Sequence, residues 1–168
     1  MMRGLPRLGL VTALVLFLVD QLVKWIVTGP LGIDYLGAVR EILPIFDLRF
    51  VQNVGVSLGL LRAESEIGRW ALVVMTGAIA VAVMVWMWRE KNRADQIALG
   101  LVLGGALGNI LDRVRFGYVV DFADLHFGEW RPFLVFNVAD AAITIGVLIV
   151  LARALLMRDK PGNPVENR

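Results

Sequence analysis

Four long apolar runs alternate with polar segments along this 168-residue chain. The runs cover residues 8–27, 70–88, 97–114 and 133–157. A bilayer core about 30 Å thick needs about 20 helical residues at 1.5 Å each, so each run can cross a membrane once, the third being a little short. The pattern predicts an all-α membrane protein, a bundle of four transmembrane helices.

The two longer polar segments carry the pattern of short strands. Residues 45–51 alternate, with Phe46, Leu48 and Phe50 on one face and charged side chains on the other, as in a half-buried strand. Residues 118–122 are also strand-like. We therefore expect a small extracytoplasmic β-sheet formed by the outer loops.

Composition supports a membrane protein and excludes several other classes. Hydrophobic residues make up 58% of the chain and charged residues only 19%. A soluble protein of this size could not bury so much apolar surface, so a soluble enzyme and a nucleic-acid binder are disfavoured. Residues 1–157 are predicted to form one integral membrane domain, and the Pro- and Gly-containing residues 158–168 a disordered cytoplasmic tail.

Basic residues predict the orientation of the four spans. The N-terminal stub, the 89–95 loop and the C-terminal region together carry nine Lys or Arg, whereas the two longer loops carry seven spread over more residues. The denser side is expected to be cytoplasmic. Both termini are therefore predicted to lie in the cytoplasm.

Polar residues of three predicted helices fall at a similar depth. Asp20 lies seven residues before the outer end of the first run, and Asp140 seven residues after the outer start of the fourth, both about 10 Å inside at 1.5 Å per residue. Asn109 lies near the outer end of the third. Ionisable groups in a bilayer cost several kcal/mol unless they are paired or face a cavity, so this layer indicates a functional site.

A purely structural role is the alternative for part of this layer. Asp20 and Lys24, four residues apart, and Asp112 with a neighbouring arginine could be ion pairs that hold the bundle together. Asp140 is harder to explain in this way, because no basic residue lies within a helical turn of it.

Most catalytic groups are missing from the sequence. The chain has no cysteine and one histidine, His126, and no second histidine completes a metal site with Glu129. Residues 55–59 match the nucleophile-elbow pattern only by chance, and a dyad of Ser57 and Lys24 is a minor chemical alternative.

An aspartate pair is the remaining option. Two nearby carboxylates share one proton, so that one can activate water while the other donates to a carbonyl oxygen. Asp140 could meet Asp121 or Asp124 if the preceding loop folds back, and spacing does not choose between them.

The chain resembles the lipoprotein signal peptidase (signal peptidase II) family in five motifs. In order they are DQLVK at 20–24, NVG at 53–55, GGALGNILDR at 104–113, GYVVDF at 117–122 and FNVAD at 136–140. The resemblance implies an aspartic endopeptidase of the bacterial inner membrane, without a metal or cofactor. Its substrates would be prolipoproteins, cleaved before a cysteine bearing diacylglycerol, and globomycin-type cyclic peptides would inhibit it.

The resemblance also implies which residues form the site. The catalytic aspartates of the family map onto Asp121 and Asp140. The supporting or substrate-binding residues map onto Asp20, Lys24, Asn53, Asn109, Asp112, Arg113 and Asn137. One departure is that residues 56–58 lack the aromatic residue usual after the Asn-x-Gly pattern.

Two other functions would also place polar groups in a membrane. A proton-coupled transporter needs polar residues through both leaflets, but the inner halves of these runs are almost wholly apolar. A structural membrane adaptor does not explain why the polar groups converge at one depth.

Overall fold

A computed structural model describes residues 5–55 and 66–156. Its four helices are α1 (Arg7–Thr28), α2 (Glu66–Arg89), α3 (Arg93–Phe116) and α4 (Val138–Leu156). All four are long and apolar enough to cross a membrane. The predicted class, a four-helix membrane bundle with a small sheet, is confirmed.

Some predictions concern segments outside the described residues. These are the Ser57 dyad, the nucleophile-elbow match at residues 55–59 beyond Gly55, the departure at residues 56–58, and the tail at residues 158–168.

The sheet has three antiparallel strands in the order β1-β2-β3. They are β1 (Val39–Leu43), β2 (Phe46–Asn53) and β3 (Val119–Leu125). The sequence predicted β2 and β3 but not β1. All five residues of β1 are exposed at the sheet edge, so this strand has no alternating apolar face for a pattern to reveal.

Local sequence fixes both ends of α3. The Asn92 side chain accepts hydrogen bonds from the backbone N–H groups of Ala94 and Asp95, which caps the first turn. Gly117 ends the helix at φ 86°, in the left-handed conformation that glycine adopts without strain. The chain therefore turns directly from α3 into β3.

Helix α3 is the centre of the bundle, and glycines let its neighbours approach it. A Cβ added at Gly100 would lie 2.5 Å from the carbonyl oxygen of Gly9, and one at Gly104 would lie 2.5 Å from that of Ala13. Small residues at this spacing allow close backbone packing in membranes. Gly100 and Gly104 therefore let α1 pack tightly on α3.

Helix α4 begins later than predicted. The apolar run starts at Phe133, but the helix starts at Val138, and Phe136 forms an antiparallel bridge with Ala123 of β3. The bridge hydrogen bonds hold this segment extended beside the sheet. Asp140 is consequently the third residue of α4, so the prediction that it lies seven residues inside a helix is wrong.

One face of the sheet packs on the bundle end. Leu48 and Phe50 of β2 and Val120 and Phe122 of β3 form a buried cluster with Val27 of α1. Apolar contacts thus hold the sheet against the end of the bundle.

Candidate active site

The start of α4 is a reciprocal capping arrangement that holds Asp140. The side-chain oxygen of Asn137 accepts a hydrogen bond from the Asp140 backbone N–H at 2.9 Å, and Oδ2 of Asp140 accepts one from the Asn137 backbone N–H at 3.3 Å. This is the geometry of a capping box, with Asn137 at the cap and a carboxylate three residues on. The Asp140 carboxylate is therefore fixed at a helix N-terminus.

Asp121 projects from β3 toward the same point. Its Oδ1 accepts a hydrogen bond of 2.6 Å from Nδ2 of Asn137, and its Oδ2 accepts one of 2.9 Å from Nδ2 of Asn53. The residue is only 1% exposed. Burial raises the pKa of the Asp121 carboxyl to about 7, the nearby Asp140 adds to the rise, and the two amide donors oppose it.

Two asparagines connect the carboxylates. Asn137 contacts Asp121 through its side-chain nitrogen and Asp140 through its backbone and side-chain oxygen. Asn109 of α3 donates from Nδ2 to Oδ1 of Asp140 at 2.8 Å, and its Oδ1 lies 3.2 Å from Nδ2 of Asn137. The predicted residues Asn53, Asn109 and Asn137 therefore surround the aspartate pair with amide groups.

Beneath this pair lies a buried ionic cluster. Nζ of Lys24 lies 2.8 Å from Oδ2 of Asp20, 2.7 Å from Oδ2 of Asp112 and 3.3 Å from Oδ1 of Asn109. The expected Asp20–Lys24 pair is present, but Asp112 pairs with Lys24 and not with a neighbouring arginine. The reason is that Asp112 faces Lys24 of α1, while its Oδ2 also accepts a hydrogen bond from the Val120 backbone N–H of β3.

The cluster also supports the start of α4. Oδ1 of Asp20 accepts a hydrogen bond of 3.0 Å from the backbone N–H of Ala139. That N–H is among the first of the helix and has no partner within it. Asp20 therefore satisfies a backbone group that the first turn of α4 leaves without a partner.

Sequence analysis did not select Gln21 as a site residue. Its Nε2 lies 3.1 Å from Asp20 and 3.1 Å from Asp112, so it contacts both carboxylates that flank Lys24. The sequence feature that pointed to Gln21 as a site residue was its position next to Asp20 in the DQLVK motif.

Arg113 lies near the pair but contacts the backbone of another segment. Its Nη2 donates a hydrogen bond of 3.0 Å to the carbonyl oxygen of Gly55, while the Gly55 N–H donates to the side chain of Asn53. Arg113 thus fixes the chain immediately after β2.

Asp124, the alternative to Asp121, occupies a different environment. Three residues along a strand reverse the side-chain direction, so the two aspartates face opposite sides of the sheet. Asp124 is fully buried, and its Oδ2 lies 2.8 Å from Nε of Arg49 and 3.2 Å from Nε of Arg131. The two arginines make it a structural ion pair, away from Asp140.

His126 follows β3 directly and lies beside Asp47 of β2. Its Nε2 lies 3.2 Å from Oδ2 of Asp47, on the part of the sheet that also carries the Arg49–Asp124 pair. His126 therefore contributes to the sheet and does not reach the aspartate pair.

Two apolar cavities meet at Asp140. One, of about 670 Å³, lies between residues 132–136 and the first turns of α4. The other, of about 290 Å³, lies between α2, α3 and α4, with Asn53, Asn109 and Arg113 in its wall. Asp140 lines both cavities, so it is accessible from two grooves that face the apolar part of the bundle.

Comparison with known proteins gives the family. A family model described as signal peptidase (SPase) II matches residues 12–156. The chain belongs to the signal peptidase II family. It is therefore a protease of a bacterial multi-pass membrane family, and its four spanning helices agree with this.

Individual relatives carry the name lipoprotein signal peptidase, and a solved structure shares the fold. The chain is 56% identical to the lipoprotein signal peptidase of Sphingopyxis alaskensis, over 93% of this chain and 90% of that one. It is also 56% identical to that of Rhizorhabdus wittichii, over 98% and 95%. A bacterial membrane enzyme structure determined by the in meso method matches with a TM-score of 0.78 and 28% identity, covering 95% of this chain and 94% of that one.

Proposed function

We propose that this signal peptidase II is an aspartic endopeptidase that removes the signal peptides of prolipoproteins, cleaving before a cysteine that carries diacylglycerol. The observation that carries the proposal is that Asn137 contacts both Asp121 and Asp140 at the junction of two apolar cavities. Asp121 and Asp140 are the proposed catalytic residues.

The two carboxyl groups act as a pair that shares one proton. Asp121 is buried, and its raised pKa reflects both burial and the charge of Asp140. Two such groups titrate together, and at neutral pH one holds a proton while the other is ionised. The amide groups of Asn53, Asn109 and Asn137 hold the pair in place.

The chemistry follows from this single shared proton. The ionised carboxylate accepts a proton from water, and the resulting hydroxide attacks the carbonyl carbon of the scissile peptide bond. The protonated carboxyl donates to the carbonyl oxygen, giving a tetrahedral intermediate. When the C–N bond breaks, the carboxyl that took the proton from water gives it to the nitrogen, and a hydroxyl of the intermediate returns its proton to the other carboxylate, which restores the single shared proton.

The cavities account for an apolar, lipid-bearing substrate. A signal peptide helix and two acyl chains are apolar, and the cavities at Asp140 are lined largely by apolar side chains such as Phe133, Leu134 and Ile143. Arg113, in the wall of the smaller cavity, and Asn109 are placed to position the substrate backbone. A globomycin-type cyclic peptide inhibitor would occupy the same space.

The proposed orientation puts the sheet at the outer membrane surface and both termini in the cytoplasm. The supporting observation is that the connection between α2 and α3 is short and basic, with Arg89, Lys91 and Arg93, as in a cytoplasmic loop. The polar groups of the site lie at the other end of the bundle, beside the sheet. A transporter would need polar groups through the whole bundle interior, whereas Ala13, Met87 and Leu99 form a buried apolar cluster toward the α2–α3 end of the described residues.

The lipid requirement is tested with two matched substrates. A synthetic prolipoprotein peptide carrying diacylglyceryl on its cysteine should be cleaved before that cysteine, while the same peptide with a free thiol should react at least about 10²-fold more slowly. The reason is that remote binding energy from the acyl chains is used to orient the reacting bond. Mass spectrometry of the products identifies the cleaved bond, and equal rates for both peptides would contradict the proposed specificity.

The pH dependence of turnover tests the shared proton. Above about pH 7 the Asp121 carboxyl loses its proton, so the doubly ionised pair should lose activity about tenfold per pH unit. Replacing Asn53 removes a donor that favours the ionised form, so Asn53→Ala should move this alkaline limb to higher pH. The exposed neighbour Gln52 provides the control Gln52→Ala, and a limb that stays in place in Asn53→Ala would argue against a titrating Asp121.

A further inference from the structure

A third cavity lies at the sheet end of the bundle and shares no residue with the two cavities at Asp140. Its volume is about 180 Å³, and it is enclosed by the last turns of α1 and α3, the α1–β1 connection and the sheet. The proposed peptidase mechanism does not use it. The charged side chains of Lys24, Asp34, Asp112 and Arg115 line it, and such a lining suits a charged or polar ligand.

The charged groups at this cavity have a zwitterionic arrangement. Asp34 and Arg115 are both exposed lining residues, and among residues 5–55 and 66–156 they form no ion pair with each other. Lys24 and Asp112 form the inner wall as an ion pair of 2.7 Å, and Lys24 also pairs with Asp20 behind this wall. One negative and one positive group are therefore available to a ligand, and the lining has no net charge.

Aromatic side chains place the opening at the membrane interface. Trp25 is 62% exposed and Phe116 is 46% exposed, and both lie in the last turns of spanning helices. Exposed aromatic residues at the ends of spans are typical of the headgroup level. The Arg115 guanidinium carbon lies 4.9 Å from the centre of the Phe116 ring, so its charge is held at this level.

We propose that this cavity binds the phosphoethanolamine headgroup of a membrane phospholipid. The phosphate accepts hydrogen bonds from the Arg115 guanidinium, whose planar donor set suits phosphate oxygens. The primary ammonium group donates hydrogen bonds to the Asp34 carboxylate, which a choline group, having no N–H, cannot do. The acyl chains of the lipid extend along the apolar outer surfaces of α1 and α3.

Such a lipid would stabilise the buried ionic cluster that contacts the aspartate pair through Asn109. The inner wall of the cavity includes Gln21, Lys24 and Asp112, which are members of the buried ionic cluster. Lys24 contacts Asn109, and Asn109 donates to Asp140. A bound headgroup therefore covers the solvent-facing side of the cluster that holds Asn109 in place, and we expect it to raise thermal stability.

The proposal is tested by lipid retention of the full-length protein in detergent. Native mass spectrometry counts phosphatidylethanolamine, phosphatidylcholine and phosphatidylglycerol bound after equal additions, and soluble phosphoethanolamine is tested as a competitor. Phosphatidylethanolamine should be retained best. Asp34→Asn and Arg115→Gln should each weaken its retention at least about tenfold, the effect of losing one hydrogen bond to a charged group.

Matched controls separate this site from a general charge effect. Glu41→Gln and Arg40→Gln remove exposed charges of the same signs on β1 and should leave retention unchanged. Because Asp34 and Arg115 are exposed, their variants should fold, and helix content by circular dichroism checks this. Asp34→Asn should reduce the preference over phosphatidylglycerol, since that lipid has no ammonium group.

Several outcomes would overturn the proposal. They are unchanged phosphatidylethanolamine retention in both variants, equal retention of the three lipids by the unaltered protein, and equal loss in the β1 controls. Displacement of the lipid by soluble phosphoethanolamine at equal concentration would show that the site takes a free zwitterion and not a lipid. None of these outcomes depends on peptidase activity, so the proposed function is tested separately.

Discussion

Asp121→Asn and Asp140→Asn should each reduce turnover of a diacylglyceryl prolipoprotein by about 10²–10⁴-fold, the usual contribution of a positioned acid or base. Either change leaves one carboxyl group, which cannot both accept the proton of water and donate to the carbonyl oxygen. The side-chain size is retained, and the amide oxygen can still accept one of the present hydrogen bonds. The loss should therefore appear in kcat more than in KM, measured by product formation in detergent micelles.

Asp124→Asn is the matched control for this experiment. Asp124 lies on the same strand as Asp121 and is equally buried, but it contacts Arg49 and Arg131. Its replacement should lower the free energy of unfolding and leave turnover close to that of the unaltered protein. Near-normal turnover in Asp121→Asn, or a catalytic loss confined to Asp124→Asn, would refute the assignment of the pair.

Lys24→Met should have the largest effect on stability, about 3–5 kcal/mol of unfolding free energy. Lys24 is 5% exposed, and its ammonium group is the shared partner of Asp20 and Asp112. Without it, two carboxylates remain buried close together with no positive charge between them. Thermal unfolding followed by tryptophan fluorescence measures the change.

Two further variants identify the cause of this loss. In the triple variant Lys24→Met, Asp20→Asn, Asp112→Asn no buried charge is left unpaired, so it should be more stable than Lys24→Met alone. Glu66→Gln breaks an exposed pair with Arg69 and should cost no more than about 1 kcal/mol. If the triple variant were as unstable as the single one, packing of the Lys24 side chain and not its charge would explain the effect.

The sequence predicted the parts of the fold that depend on local pattern. The four apolar runs indicate four helices because a span needs a long apolar segment whatever it packs against. Residues 45–51 indicated β2 because one of its faces is buried on the bundle. Strand β1 gave no such signal, since its stability comes from hydrogen bonds to β2 and not from an apolar face.

The polar layer was partly predictable. Counting along the spans placed Asp20, Asn109 and Asp140 at a similar depth, and their contacts through Asn109 and Ala139 agree with that level. The predicted depth of Asp140 within α4 was wrong. Phe136 is held in an antiparallel bridge with Ala123, so the helix begins only at Val138. Apolar composition alone does not distinguish an extended apolar segment from the first turn of a helix.

Four apolar runs, with aspartates and asparagines near one end of them, can be identified from the amino-acid order without any tertiary contact. Which of these polar groups meet depends on how the helices and strands pack. The tertiary structure paired Lys24 with Asp112, turned Asp121 toward Asn137 and Asp124 toward two arginines, and brought Asp34 and Arg115 to one cavity. The physical reason is that periodicity fixes the face of a helix or strand, whereas partners across elements depend on register, helix ends and close glycine packing.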